Sequence, residues 1–159
     1  MRRKLLAICA LAYLGMFSIQ SQAQEHSVAR EWNEMLLTSI RGDFARPTVH
    51  ARNLFHISAA MYDAWAIYTI KGETYLIGQT RYGFTSDLQE FTPAGTGTVE
   101  EQMELCLSYV AARLLQRRFR FSPSSRDLLP AYEELLIEMG GDPNNTDTDY
   151  SSGSPAALG

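Results

Sequence analysis

From Pro47 to about Tyr68 the sequence sets the strongest limit on what this chain can fold into. Val49, Leu54, Phe55, Ile57, Ala59, Ala60, Met61, Ala64, Trp65 and Ile67 lie almost all round a helix drawn through this segment. A helix that is apolar on most sides needs burial, so this one is expected at the centre of a helical bundle. Pro47 suits a first-turn position, where its fixed φ is helical and its absent N–H has no intrahelical partner to lose.

Three further segments read as helices that could cover it. Val28, Trp32, Leu36 and Ile40 recur at every fourth residue from about Ser27 to Arg41, with Ser27 as N-cap and Gly42 as the stop. Thr98-x-x-Glu101 is a capping box. Val99, Met103, Cys106, Val110 and Leu114 carry that helix on to about Phe119. It ends in Arg113, Arg117, Arg118 and Arg120, cations that complement the negative end of the helix dipole. Leu128, Leu135, Leu136 and Met139 mark a fourth helix, Leu128 to Met139. Asp127 as N-cap places Pro130 in its first turn, and Gly140-Gly141 stops it.

Residues from about Thr69 to Gly97 do not read as helix, although Glu73 to Gly78 fits a short strand. A connection this long is uncommon in a small bundle, so an ordered excursion packed on other chain is expected. The predicted fold is all-α: a partial bundle of about four helices with a long irregular connection at 69–97. Near the end, Ser154-Pro155 forms an N-cap and N1 pair, and Ala156-Ala157-Leu158 begins a helix. One turn is below the length at which an isolated helix holds. The chain therefore reads as the front part of a larger helical fold.

The N-terminus points to export. Met1-Arg2-Arg3-Lys4 is basic, Leu5 to Phe17 is almost unbroken apolar sequence, and Ser21-Gln22-Ala23 places small residues at a cleavage site. These are the three parts of a secretory signal peptide, here residues 1–23. The apolar run is shorter than the ~20 residues that span a bilayer, so no stable membrane anchor is expected after cleavage, and the mature chain is expected to be periplasmic or extracellular. Cleavage removes Arg2, Arg3 and Lys4 and no acid, leaving a net charge more negative than the −4 of the whole chain. Nothing in that charge draws the protein to nucleic acid.

The polar residues of the second helix are the first candidates for chemistry. Arg46, His50, Asn53 and His56 form a drifting polar stripe, which Asp63 continues. Polar groups on a buried helix need partners, either as a lined pocket or as a hydrogen-bond network that fixes helix packing. The network is the favoured reading. His50 and His56 lie about 120° apart around a helix of 3.6 residues per turn, which suits no shared metal, and the H-E-x-x-H spacing is absent. Cys106 lies in an apolar pattern and reads as a small core residue. With Cys9 removed alongside the signal, no internal disulfide is expected. The acidic run from Asp142 to Asp149 fails the EF-hand pattern in both registers, lacking Gly at the sixth position and Glu at the twelfth. It reads as a solvated turn rich in Asp and Asn. Gly-rich phosphate loops, nucleophile elbows and paired Cys motifs are absent.

Several strings carry a family resemblance. They are Trp32-Asn33-Glu34, Asp43-Phe44-Ala45-Arg46-Pro47-Thr48-Val49-His50-Ala51-Arg52-Asn53-Leu54-Phe55-His56, and Ala59-Ala60-Met61-Tyr62-Asp63-Ala64-Trp65-Ala66. Asp147-Thr148-Asp149-Tyr150-Ser151 and Ser154-Pro155-Ala156-Ala157-Leu158-Gly159 add to them. Together they resemble the N-terminal region of bacterial vanadium-dependent haloperoxidase-like proteins, relatives of the type-2 phosphatidic acid phosphatases. The resemblance implies an all-helical fold and, for a full-length member, bound vanadate or phosphate. In that family a Lys and Arg-Pro motif, a Ser-Gly-His motif and a later Arg and His motif supply the site, all in the C-terminal half. Here Arg46-Pro47 lacks the upstream Lys, and Ser152-Gly153 is followed by Ser154 rather than His. No catalytic, cofactor or metal residue carries over, and no cofactor is expected in this chain. The implied partner is the C-terminal half of the same fold. The alternative is a complete small helical binding module of the cell envelope, with 69–97 as its recognition surface.

Overall fold

A computed structural model describes residues 27–69, 72–86 and 92–159; the expected signal peptide at 1–23 lies outside them. The fold is all-α. Helices α1 (Val28–Arg41), α2 (Pro47–Tyr68), α3 (Val99–Phe119) and α4 (Ser125–Glu138) form the bundle. A short hairpin of β1 (Thr80–Arg81) and β2 (Phe84–Thr85) follows α2, and a single-turn helix α5 (Pro155–Leu158) follows a 3-10 turn at Tyr150–Ser152. Among the described residues no helix is long and apolar enough to cross a membrane.

The Thr98–Glu101 capping box forms as its sequence predicts. Glu101 N–H donates to the Thr98 hydroxyl at 3.1 Å, and Thr98 N–H donates to the Glu101 carboxylate at 2.7 Å. The helix it opens, α3, occupies the centre and packs against α1, α2, α4 and α5. Every residue from Cys106 to Ala112 is buried, so α3 is covered on all sides for nearly two turns.

This corrects the expectation that α2 is central. Leu54, Phe55 and Tyr62 of α2 stay 38%, 49% and 43% exposed, while Ile57, Met61 and Ala64 face inward. Apolar sequence on all sides shows what a helix could bury, not what its neighbours cover. Helix α3 wins the centre because Cys106, Ser108, Ala111 and Ala112 are small enough for several helices to approach it closely.

Trp32 of α1 is fully buried, and its indole N–H donates to the Ser108 hydroxyl of α3 at 3.1 Å. Ser39 donates to the Met35 carbonyl at 2.7 Å, which leaves its oxygen to accept from the buried Tyr132 hydroxyl of α4 at 2.8 Å. Helix α4 begins three residues earlier than its apolar pattern suggests, with Ser124 as N-cap, so Pro130 falls inside the helix and not in its first turn. Tertiary bonds explain the shift. The Ser122 and Ser124 hydroxyls both donate to the Gly42 carbonyl, at 3.2 and 2.9 Å, tying the start of α4 to the end of α1.

The described parts of the excursion after α2 are held by polar anchors. Residues 73–78 form a turn instead of the expected strand. The strands lie just beyond, paired Thr80 with Thr85 and Arg81 with Phe84. Tyr82 and Gly83 link them with φ of 55° and 79°, the two positive values that a tight hairpin turn of matching twist requires. Farther on, the buried Gln102 accepts from Gly95 N–H at 3.0 Å and donates to the carbonyls of Gly95 and Gly97 at 3.1 and 3.3 Å.

Helix α5 holds although it is one turn long. Ser154 caps it by accepting from Ala157 N–H, and Arg113 of α3 donates to the Ala156 carbonyl at 2.6 Å. Ala156 and Leu158 are buried. The rule that a lone turn melts applies to isolated helices; this one is clamped at both ends and packed on α3.

Candidate functional site

The structure gives four of the five stripe residues separate partners and leaves the Asn53 carbonyl oxygen without one. Arg46 Nη2 pairs with Asp43 Oδ2 at 2.8 Å, the one ion pair among the described residues. Burial pushes the Asp43 carboxyl up, but the Arg46 guanidinium, the Phe44 N–H and the Ser122 hydroxyl together hold it below its ordinary 3.8. His50 Nε2 donates to the Phe44 carbonyl at 2.8 Å, and its Nδ1 is buried without a partner. These two residues close the turn that leads into α2. Asn53 points into the core, 2% exposed, with its Oδ1 unpartnered.

Asp63 lies farther along α2 and is 3% exposed. Its carboxylate accepts three backbone N–H groups, from Tyr75, from Leu76 at 2.8 Å and from Ile77 at 3.1 Å. One side chain thereby fixes the turn that starts the excursion. Tyr62 assists by donating to the Glu73 carbonyl at 3.0 Å, and Arg81 donates to the Tyr75 carbonyl at 2.6 Å.

His56 reaches α3. Its Nδ1 accepts from Arg118 Nη2 at 2.7 Å, so the ring is neutral with its proton on Nε2. Burial, then Arg118, then Arg52 push the His56 pKa below its ordinary 6.5. Arg52 stands one turn before His56 on the same face of α2.

That cationic corner continues a groove that the sequence did not reveal. The groove has a volume of about 650 Å³. Ala60, Ala64, Val110 and Leu114 line it from α2 and α3, and Leu76, Ile77 and Phe84 line it from the excursion. Arg81, Arg113 and Arg117 also border it. Arg113 is engaged with the carbonyls of Ala156, Asn145 and Asp147. His56 and Arg118 lie four residues from Ala60 and Leu114, so the corner is the next turn of the same helix seam. The one sequence signal for the groove was the pair of small residues Ala60 and Ala64 on the helix face that meets α3.

The remaining candidates have structural explanations. Cys106 is fully buried, and burial pushes its thiol up to about 12. The acidic loop forms successive side-chain turns. Asp142 accepts from Asn144 N–H, Asn145 from Asp147, Asp147 from Asp149, and Asp149 from Ser151, each near 3 Å. Among the described residues no three His, Cys, Asp or Glu side chains gather at a possible metal site. The Arg, Ser and His nearest to the family's motif types are engaged within the chain. Arg46 is paired with Asp43, the Ser152 hydroxyl donates to Asp147, and the His56 acceptor nitrogen is taken by Arg118. No family model, curated protein or solved structure matches the chain.

Proposed function

We propose that this chain is the exported N-terminal helical scaffold of a vanadium-dependent haloperoxidase-like or acid-phosphatase-like enzyme, inactive alone. The string from Asp43 to His56 carries the reading. Its polar members work within this chain's own packing: Arg46 on Asp43, His50 on the Phe44 carbonyl and His56 on Arg118. Such contacts suit a part that shapes a bundle while other residues perform the chemistry. The exposed Leu54, Phe55 and Tyr62 of α2 give that scaffold an apolar face to lay against the C-terminal half of the enzyme. Vanadate or phosphate would then be held by that half. Export rests on the Met1–Ala23 pattern.

The purified chain, assayed with vanadate, peroxide and bromide and separately with a phosphate ester, is expected to show no turnover. Turnover by this chain alone in either assay overturns the proposal. An open reading frame encoding a Ser-Gly-His segment is expected beyond codon 159 of the gene, and its absence also counts against the reading. The alternative, an envelope binding module, draws support from the groove, since residues 76–86 of the excursion form its outer wall.

A further inference from the structure

We infer that the groove between α2, α3 and the hairpin is a binding site for a long-chain carboxylate. The tail would lie along Ala60, Ala64, Val110 and Leu114, and the head would meet the guanidinium of Arg117, with Arg118 adding positive charge one residue on.

Three observations carry this. The first is size and lining. A volume of about 650 Å³ bordered mainly by aliphatic and aromatic side chains falls within the roughly 300–1,000 Å³ of small-ligand sites. The second is unneutralised charge at one end. Arg117 borders the groove, Arg118 follows it in α3 and bonds His56, and Arg52 stands beside His56 on α2; none of them pairs with a carboxylate among the described residues, where the single ion pair is Arg46–Asp43. Guanidinium is the side chain best suited to grip a carboxylate in two parallel hydrogen bonds. Asp63, the one acidic side chain lining the groove, is already committed to three backbone N–H groups. The third is the state of His56. Its Nδ1 accepts from Arg118 Nη2 at 2.7 Å, and burial first, then Arg118 and Arg52, hold the ring below its ordinary 6.5, so two cations stand beside a neutral imidazole.

The apolar trough and the cationic corner are consecutive turns of one seam. That arrangement matches a molecule whose charge sits at one end of a flexible apolar chain, and it fits a bare anion or a neutral hydrocarbon less well. Burial of each further methylene strengthens binding, so affinity should depend on both the tail and the head.

Calorimetric titration of the purified chain with dodecanoate, kept below its micelle concentration, tests this. Saturable one-to-one binding is expected, at least about tenfold tighter than for octanoate. Arg117 is exposed, so Arg117→Glu should fold normally by circular dichroism and weaken dodecanoate at least about tenfold. Phe84→Ser, on the exposed hairpin wall, should weaken it severalfold while leaving its head-group dependence intact. The inference is overturned by an absence of saturable binding, by equal affinity for octanoate and dodecanoate, or by a folded Arg117→Glu variant that binds as well as the parent.

Discussion

The two sides of α3 are held by different physics. On one side, α1 and α4 close over it with large, fully buried side chains: Trp32, Leu36 and Tyr132. On the other, α2 covers it incompletely, and the segment beyond depends on single polar side chains that gather backbone groups, Asp63 at residues 75–77 and Gln102 at Gly95 and Gly97. The first side loses stability in proportion to the volume removed. The second can be undone by changing one acceptor. An open groove belongs naturally on the second side, where the wall is hung from polar bonds and is not packed into the core.

The sharpest way to break this comparison is at Trp32. Trp32→Ala leaves a large cavity and removes the indole donor to Ser108, whose hydroxyl keeps its bond to the Glu104 carbonyl, and should cost about 3–5 kcal/mol, read as a lower urea midpoint with one cooperative transition. On the other side, Asp63→Ala removes the acceptor of three N–H groups and should cost about 2–3 kcal/mol. Its signature differs: amides 75–77 lose hydrogen-exchange protection while α1 and α4 keep theirs. A smaller effect is expected from Ser39→Ala. It leaves the buried Tyr132 hydroxyl without its acceptor and should cost about 1–2 kcal/mol, again in the urea midpoint.

The smallest effect concerns pH. His56 titrates below 6.5 in the folded chain because of burial, Arg118 and Arg52, so the unfolded chain binds more protons in that interval. Stability is therefore full above pH 6.5 and falls as pH drops through the folded-state pKa. His56→Gln should flatten that slope in urea midpoints collected between pH 5 and 7, and a dodecanoate head group at the cationic corner should do the same in the parent. Asp43, held below 3.8, adds a second loss of stability under more acidic conditions.

The legibility of the sequence divides along the same line. Helices α1, α2 and α3 could be read almost to the residue, because apolar spacing, Pro47 and the Thr98–Glu101 box are local signals. The four-helix, all-α character followed from them. What could not be read was set by distant contacts. Ser122 and Ser124 reach Gly42 and draw the start of α4 forward past Pro130. Arg113 reaches Ala156 and makes one turn of helix hold. Asp63 appeared as part of a polar stripe, but its partners are backbone N–H groups more than ten residues away, which no side-chain pattern announces. The central place of α3 was hidden for the opposite reason: its small residues look unremarkable in sequence, yet they allow the other helices to approach. The groove depends on all of these placements, and so it came into view only with the assembled fold.

Native-state hydrogen exchange on the parent chain and on Asp63→Ala tests the division between the two sides most directly. In the parent, amides at the centre of α3 and in α1 and α4 should open only with global unfolding, and amides 75–77 should open at a lower free energy. In Asp63→Ala those three amides should exchange freely while the α1–α3–α4 core keeps its protection relative to its own global stability. If α1 and α4 instead lose protection in step with residues 75–77, the molecule is held as one cooperative unit and the account of two differently held sides is wrong.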